Sequence, residues 1–229
     1  MENRNEALTS RIPKPTSSIL VYLIAIYAAC LLIANILANH MIVIINWTTS
    51  AGILTFPLTY ILASVISEVY GYRWARNAAW LSLALNALLA LLVQLSIFMP
   101  GPIWYDNTYF IGAIGGTWRV VLASLTAFTL GKFVNDKMFA KMKLKHTDLK
   151  GFTFRAIFSS LGGHIVDTTI FTLIAFAFVL PWEALPEMII VGVLLKLGYE
   201  LVASPLTLQV AKWVSRREKM YESSYHGQQ

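Results

Sequence analysis

Ser160, His164, Asp167, Thr168 and Thr172 recur at steps of three and four residues, and so do Lys196, Glu200, Ser204 and Thr207. Such spacing puts each set on one face of a helix, and both sets lie inside long apolar runs. A charged group at the centre of a bilayer costs about 2.5–3.5 kcal/mol, so each needs a partner, water or a ligand. The chemistry on offer is recognition of a small polar molecule. Carboxylates accept N–H donors, a lysine meets a carbonyl, and a histidine changes charge near neutral pH. Two pairings are open at this point. Lys196 and Glu200 can close an i,i+4 ion pair, in the weaker order for such pairs, or Lys196 can reach Asp167 across two helices and leave Glu200 for a ligand. His164 is either a hydrogen-bonded packing residue or a ligand contact and proton relay.

A hydrolytic reading would use Ser159 or Ser160 with His164 and Asp167. Three residues on successive turns of one helix do not give the base-to-nucleophile geometry that a triad needs, so no enzyme and no catalytic residue is expected.

The elements that must position these side chains are membrane spans. The chain of 229 residues is 57% hydrophobic and 13% charged, against roughly a quarter charged in soluble domains. No Asp, Glu, Lys or Arg occurs between Lys14 and Glu68, and about 20 apolar residues suffice to cross a bilayer. The pattern predicts an all-α polytopic protein of six transmembrane helices, at Ser18–Asn39, Ile53–Tyr70, Ala75–Phe98, Trp118–Met138, Phe152–Leu180 and Met188–Trp213. Residues 1–17 are then an N-terminal segment, 18–213 the membrane domain and 214–229 a C-terminal tail.

Fifteen of the eighteen Lys and Arg fall on one side of this arrangement: Arg4, Arg11, Lys14, Arg73, Arg76, Lys137, Lys141, Lys143, Lys145, Lys150, Arg155, Lys212, Arg216, Arg217 and Lys219. By the positive-inside rule both termini are cytoplasmic and the protein sits in the inner membrane. The net charge of +6 then reports topology and contact with the lipid bilayer rather than nucleic acid. The first apolar run is too long for a cleaved signal core. The single cysteine, Cys30, rules out an internal disulfide, and no Cys/His zinc spacing, P-loop or Rossmann glycine pattern occurs, so no cofactor or metal is expected.

Further polar candidates flank the central sets. Tyr60, Ser64, Ser67 and Glu68 share a face of the second span, where Glu68 either pairs with Arg73 or Arg76 or closes the inner mouth of a polar cavity. Asn86 in the third span is placed at the depth of the central residues. Lys132 and Asp136 read as an i,i+4 pair, and Arg119 as a side chain snorkelling to the outer surface. Phe56 and Tyr60 can stack on a flat ligand or pack in the core. Pro57 and Pro205 are candidate helix breaks. Ala25/Ala29 and Ala34/Ala38 allow close packing within the bundle, with a homodimer as the alternative use. Trp104, Tyr105, Tyr109, Trp118 and Trp182 suit an outer aromatic belt.

The run FPLTYILASVISEVYGYRWAR at residues 56–76, followed in order by RVVLASLTAFTLGKFVNDKMF, SSLGGHIVDTTIFTLIAF and LLKLGYELVASPLT, resembles the queuosine precursor transporter family, integral membrane proteins related to vitamin uptake transporters. The resemblance covers most of the chain. It implies import of a 7-deazaguanine base such as 7-cyano-7-deazaguanine or its aminomethyl relative. Matching motif positions are Phe56, Pro57, Thr59, Tyr60, Glu68, Tyr70, Gly71, Gly131, Asp167, Lys196, Glu200 and Pro205. The family usually carries Asp at the position of Ser64 and an acidic or amide residue at that of His164. The polar pattern and the resemblance together give a candidate substrate site of Phe56, Tyr60, Ser64, Asn86, His164, Asp167, Lys196 and Glu200, with Glu68, Arg119, Lys132 and Asp136 as gate or structural residues. A binding subunit for another vitamin or nucleobase, energised by a separate ATPase partner, is the alternative.

Overall fold

A computed structural model of the chain describes residues 18–143 and 149–226. Arg4, Arg11 and Lys14 in segment 1–17, and Lys145, lie outside the described residues, as do the side chains of Lys143, Lys150, Arg155 and Lys219.

Seven helices and one hairpin follow in order: α1 (Ser18–Leu37), β1 (Met41–Ile44), β2 (Trp47–Ser50), α2 (Phe56–Tyr70), α3 (Tyr72–Phe98), α4 (Thr108–Ile114), α5 (Thr117–Lys143), α6 (Leu149–Phe176) and α7 (Ala184–His226). Five helical stretches are long and apolar enough to cross a membrane: Ser18–Leu37, Ala51–Tyr70, Tyr72–Phe98, Thr108–Met138 and Ala184–Glu218. α6 matches them in length at 28 residues, but Ser159, Ser160, His164, Asp167, Thr168 and Thr172 dilute its apolar character.

Each boundary has a local cause. Asn39 ends α1 by turning its amide onto the Asn35 and Ile36 carbonyls, which lack helical donors at that end. The hairpin was not expected in an all-α chain. Its strands pair antiparallel, with Met41 opposite Ser50, around a two-residue turn at Ile45 and Asn46 whose φ values are 49° and 67°. Two left-handed residues of this kind match the twist of a tight hairpin, and the β-branched runs Ile42–Ile44 and Thr48–Thr49 suit the strands. A 3₁₀ turn, Ala51–Thr55, leads into α2. Pro57 therefore sits in the first turn of α2, where its missing N–H leaves no bond unmade, and starts the helix rather than breaking it. Gly71, at φ 89°, supplies the left-handed residue that turns α2 into α3.

α7 is the longest element at 43 residues, about 65 Å at the usual rise, and it runs well past the predicted end at Trp213. Pro205 lies inside it without ending it, leaving the Leu201 carbonyl short of its helical donor. α5 packs along α6, α2 along α7, and α1 against α2 and α3. The α5–α6 contact is close because of glycine. A Cβ at Gly131 would lie 2.7 Å from the Asp167 Cβ and 3.0 Å from the Gly163 carbonyl oxygen. Small residues of this kind let helix backbones approach where lipid gives no hydrophobic drive.

Apolar side chains such as Val21, Ile26, Leu88, Leu91, Leu201 and Val202 are exposed on the bundle exterior, as expected of a lipid-facing surface. Trp104, Tyr105, Tyr109, Trp118 and Trp182 are exposed as well. Arg119 does not extend to the surface as predicted. Its guanidinium donates to the Ile174 carbonyl at 2.6 Å and to the Ala177 carbonyl, closing the C-terminal end of α6, where carbonyls lack partners and a positive charge is favoured. Arg119→Gln should lower stability by about 1–3 kcal/mol, the worth of hydrogen bonds from a charged donor. Thermal unfolding of the purified protein in detergent measures this, and an unchanged midpoint would remove the capping role.

Candidate functional site

Three helices meet at the central polar residues. α6 contributes Ser160, His164 and Asp167, α7 contributes Lys196 and Glu200, and α2 contributes Phe56 and Tyr60. Lys196 Nζ lies 2.5 Å from Asp167 Oδ2. The interhelical pairing is therefore the one formed, and the i,i+4 pairing of Lys196 with Glu200 is not. Geometry decides it: the two helices come together where Gly192 of α7 faces Thr168, a Cβ at Gly192 lying only 2.8 Å from the Thr168 methyl. One turn along, the lysine then meets the α6 carboxylate. The same ammonium lies 4.9 Å from the centre of the Phe56 ring, within the range for a cation–π contact.

Glu200 has partners of its own. Ser160 Oγ donates to its carboxylate, at 2.7 and 2.9 Å from the two oxygens. His164 Nε2 is 2.9 Å from Glu200 Oε2, and His164 Nδ1 is 3.4 Å from the Tyr60 hydroxyl. The Tyr60 and His164 rings meet edge-on, with centroids 5.8 Å apart. The assignment consistent with these contacts puts the imidazole proton on Nε2, donating to Glu200, and leaves Nδ1 to accept from Tyr60. One of the two open pairings left Glu200 free of Lys196, and that is the one formed; in this structure its carboxylate accepts from Ser160 and lies within hydrogen-bond distance of His164.

Burial differs sharply across the cluster. Lys196 is 5% exposed, whereas the Glu200 side chain is 43% exposed and that of His164 13%. The lysine–aspartate pair is thus the interior, charge-neutral part, and the glutamate is the accessible part. No catalytic triad is formed. Ser160 and Glu200 both face Nε2 of His164, and Asp167 is engaged by lysine instead of orienting the imidazole.

Other predicted residues lie elsewhere. Asn86 is buried between α1 and α3, accepting from the Asn35 amide at 2.6 Å and donating to the Ser82 carbonyl, so it fills its hydrogen bonds away from the cluster. Ser64, Ser67 and Glu68 are exposed along α2, one to two turns beyond Tyr60. Among the described residues Glu68 makes no ion pair, and Arg76 instead lies over the Tyr72 ring at 5.9 Å. Lys132 and Asp136 form an exposed i,i+4 pair at 3.0 Å. Sequence reasoning left Ser160 out of the site although its polar stripe contained it. Its spacing of four from His164 was the available signal.

Residues 50–210 match the family described as putative vitamin uptake transporter. The chain belongs to that family. The match spans every member of the cluster, from Phe56 to Glu200. Like other putative vitamin uptake transporters, the chain is a multi-pass membrane transporter and not an enzyme. A curated relative, the probable queuosine precursor transporter of Bacillus subtilis (strain 168), is 23% identical over 187 residues, which cover 81% of this chain and 82% of the relative. No solved structure matches this member of the family.

Proposed function

We propose that this transporter imports a 7-deazaguanine precursor of queuosine across the cytoplasmic membrane, and that the base binds at the α2–α6–α7 cluster. The observation that carries the reading is Glu200, a partly exposed carboxylate that meets Ser160 and His164 in the same cluster as the Lys196–Asp167 pair and the Phe56 and Tyr60 rings. A guanine-like edge offers two adjacent N–H donors beside a carbonyl. A carboxylate can accept both donors in a bidentate arrangement, taking the place of the protein donors Ser160 and His164 that now meet Glu200. Phe56 and Tyr60 supply flat apolar surface for the purine-like ring. The name of the Bacillus relative supports the same substrate class, with 7-cyano-7-deazaguanine and its aminomethyl relative as the bases of choice.

The basic residues of the loops place both termini in the cytoplasm in this reading. The family description favours a second ligand class, another vitamin bound at the same cluster. Titration of the purified protein with a 7-deazaguanine base, guanine and a biotin-like vitamin separates the two. Saturable binding of the deazaguanine is expected, and binding of the vitamin alone would overturn the assignment. Uptake into proteoliposomes holding only this protein is expected too, and its strict dependence on an added ATPase would convert the protein into a binding subunit.

Ser64→Asp supplies a second test. It places a carboxylate one turn from Tyr60 on the exposed face of α2, where the family resemblance implies an Asp. Affinity or preference among bases should change about tenfold, the effect of one modest hydrogen bond or charge contact. Identical binding curves would leave Ser64 to packing.

A further inference from the structure

Within the cluster, charge does not balance by itself. The Lys196–Asp167 pair is neutral and internal, which leaves Glu200 as the carboxylate of the cluster with no Lys or Arg at contact distance, inside a span where an uncompensated charge is costly. The group that can neutralise it is His164, which reaches it at 2.9 Å. We propose that the His164–Glu200 pair is a proton-binding site and that one proton travels inward with each base. The inference rests on the substrate reading above.

Three features of the geometry bear on it. First, both ring nitrogens of His164 face a hydrogen-bond partner, Glu200 at Nε2 and the Tyr60 hydroxyl at Nδ1, so an imidazole carrying a proton on each nitrogen is accommodated. Second, it joins three helices: α6 through its own backbone, α7 through Glu200 and α2 through the Tyr60 hydroxyl. A change in its charge therefore bears on contacts between all three. Third, the base and the proton use the same carboxylate. The titratable and charged groups around His164 are Asp167 on α6, Lys196 and Glu200 on α7, and Tyr60 on α2, with Tyr27 of α1 in electrostatic reach of Tyr60. Lys196 and Asp167 cancel, so protonating His164 takes the cluster from a net charge of minus one to zero.

The cycle follows from that count. With the site open to the outer solution, His164 takes a proton from water and the neutral cluster accepts the uncharged base against Glu200. The loaded site then carries no net charge across the membrane. Once it opens inward, hydration of Glu200 removes the advantage of the imidazolium, and base and proton leave together.

The test uses wild-type protein in proteoliposomes. An imposed gradient of about one pH unit, acidic outside, should raise accumulation of the 7-deazaguanine base about tenfold for one proton per base. Addition of base without a gradient should acidify the lumen, read by an entrapped pH-sensitive dye. In His164→Gln the ratio of uptake with and without the gradient should fall to one; the ratio, not the rate, is the readout. A base that binds and equilibrates in wild-type vesicles with no response to the gradient overturns the proton site and leaves the substrate assignment standing. Absence of any base binding overturns both.

Discussion

Asp167→Asn should destabilise the folded protein by about 3–5 kcal/mol, because it strands the Lys196 ammonium inside the bundle without its counter-charge. Lys196 is 5% exposed and Asp167 Oδ2 lies 2.5 Å away. The Phe56 ring and the wider field of Glu200 do not replace a carboxylate at contact distance. The converse change, Lys196→Met, should cost less, since the Asp167 side chain is 27% exposed and can be hydrated or protonated. Asp167→Leu combined with Lys196→Met removes both charges and should recover most of the loss, as buried ion pairs often can be replaced by apolar groups. Chemical unfolding of wild type, Asp167→Leu, Lys196→Met and the combined variant in detergent closes the double-mutant cycle, with Asp167→Asn measured beside them. Single variants as stable as wild type would mean that the pair does not hold α6 to α7.

Glu200→Gln addresses binding rather than stability. The Glu200 side chain is 43% exposed and its replacement strands no buried charge, so unfolding should change less than in Asp167→Asn. Base affinity should fall on the order of a hundredfold or more, because two hydrogen bonds to a charged acceptor are each worth about 1.5–3 kcal/mol. Glutamine presents one oxygen and one N–H donor, which opposes the second N–H of the base. Calorimetric titration with a 7-deazaguanine base measures the effect. Retention of wild-type affinity would move the base to another part of the molecule.

The bundle and the inner pair of charges were legible in the sequence because both follow from simple periodicities. Apolar runs give spans, and polar residues at three- and four-residue steps give faces. Lys196 and Asp167 were placed at equal depth by counting from helix ends, and the structure joins them. What escaped were features set by contact geometry. Arg119 looked like a surface residue because its partners are backbone carbonyls of α6, which carry no sequence signature. Asn86 had the right depth and the wrong face: its partners Asn35 and Ser82 lie on α1 and α3. The hairpin β1–β2 was hidden in an apolar stretch, where Ile45 gives no hint of its left-handed backbone. α7 outran its predicted end because the tail beyond Trp213 is polar yet free of helix breakers through Glu218.

The glycine contact at Gly131 and Gly163 has mechanical meaning. It lets the α5 and α6 backbones pack so closely that a Cβ at Gly131 would lie 3.0 Å from the Gly163 carbonyl oxygen and one at Gly163 3.1 Å from that of Gly131, so the two helices form one block. α2 and α7 form the opposing block, joined by Val65, Ala211 and Val214 and by the hydrogen bond from the Tyr70 hydroxyl to Glu218. The polar contacts of the site described above cross the seam between these blocks: Tyr60 to His164, Ser160 to Glu200, His164 to Glu200 and Lys196 to Asp167. The residues proposed to grip the cargo are also the clasps between the two blocks, so a base that takes over the Glu200 contacts also loosens the seam.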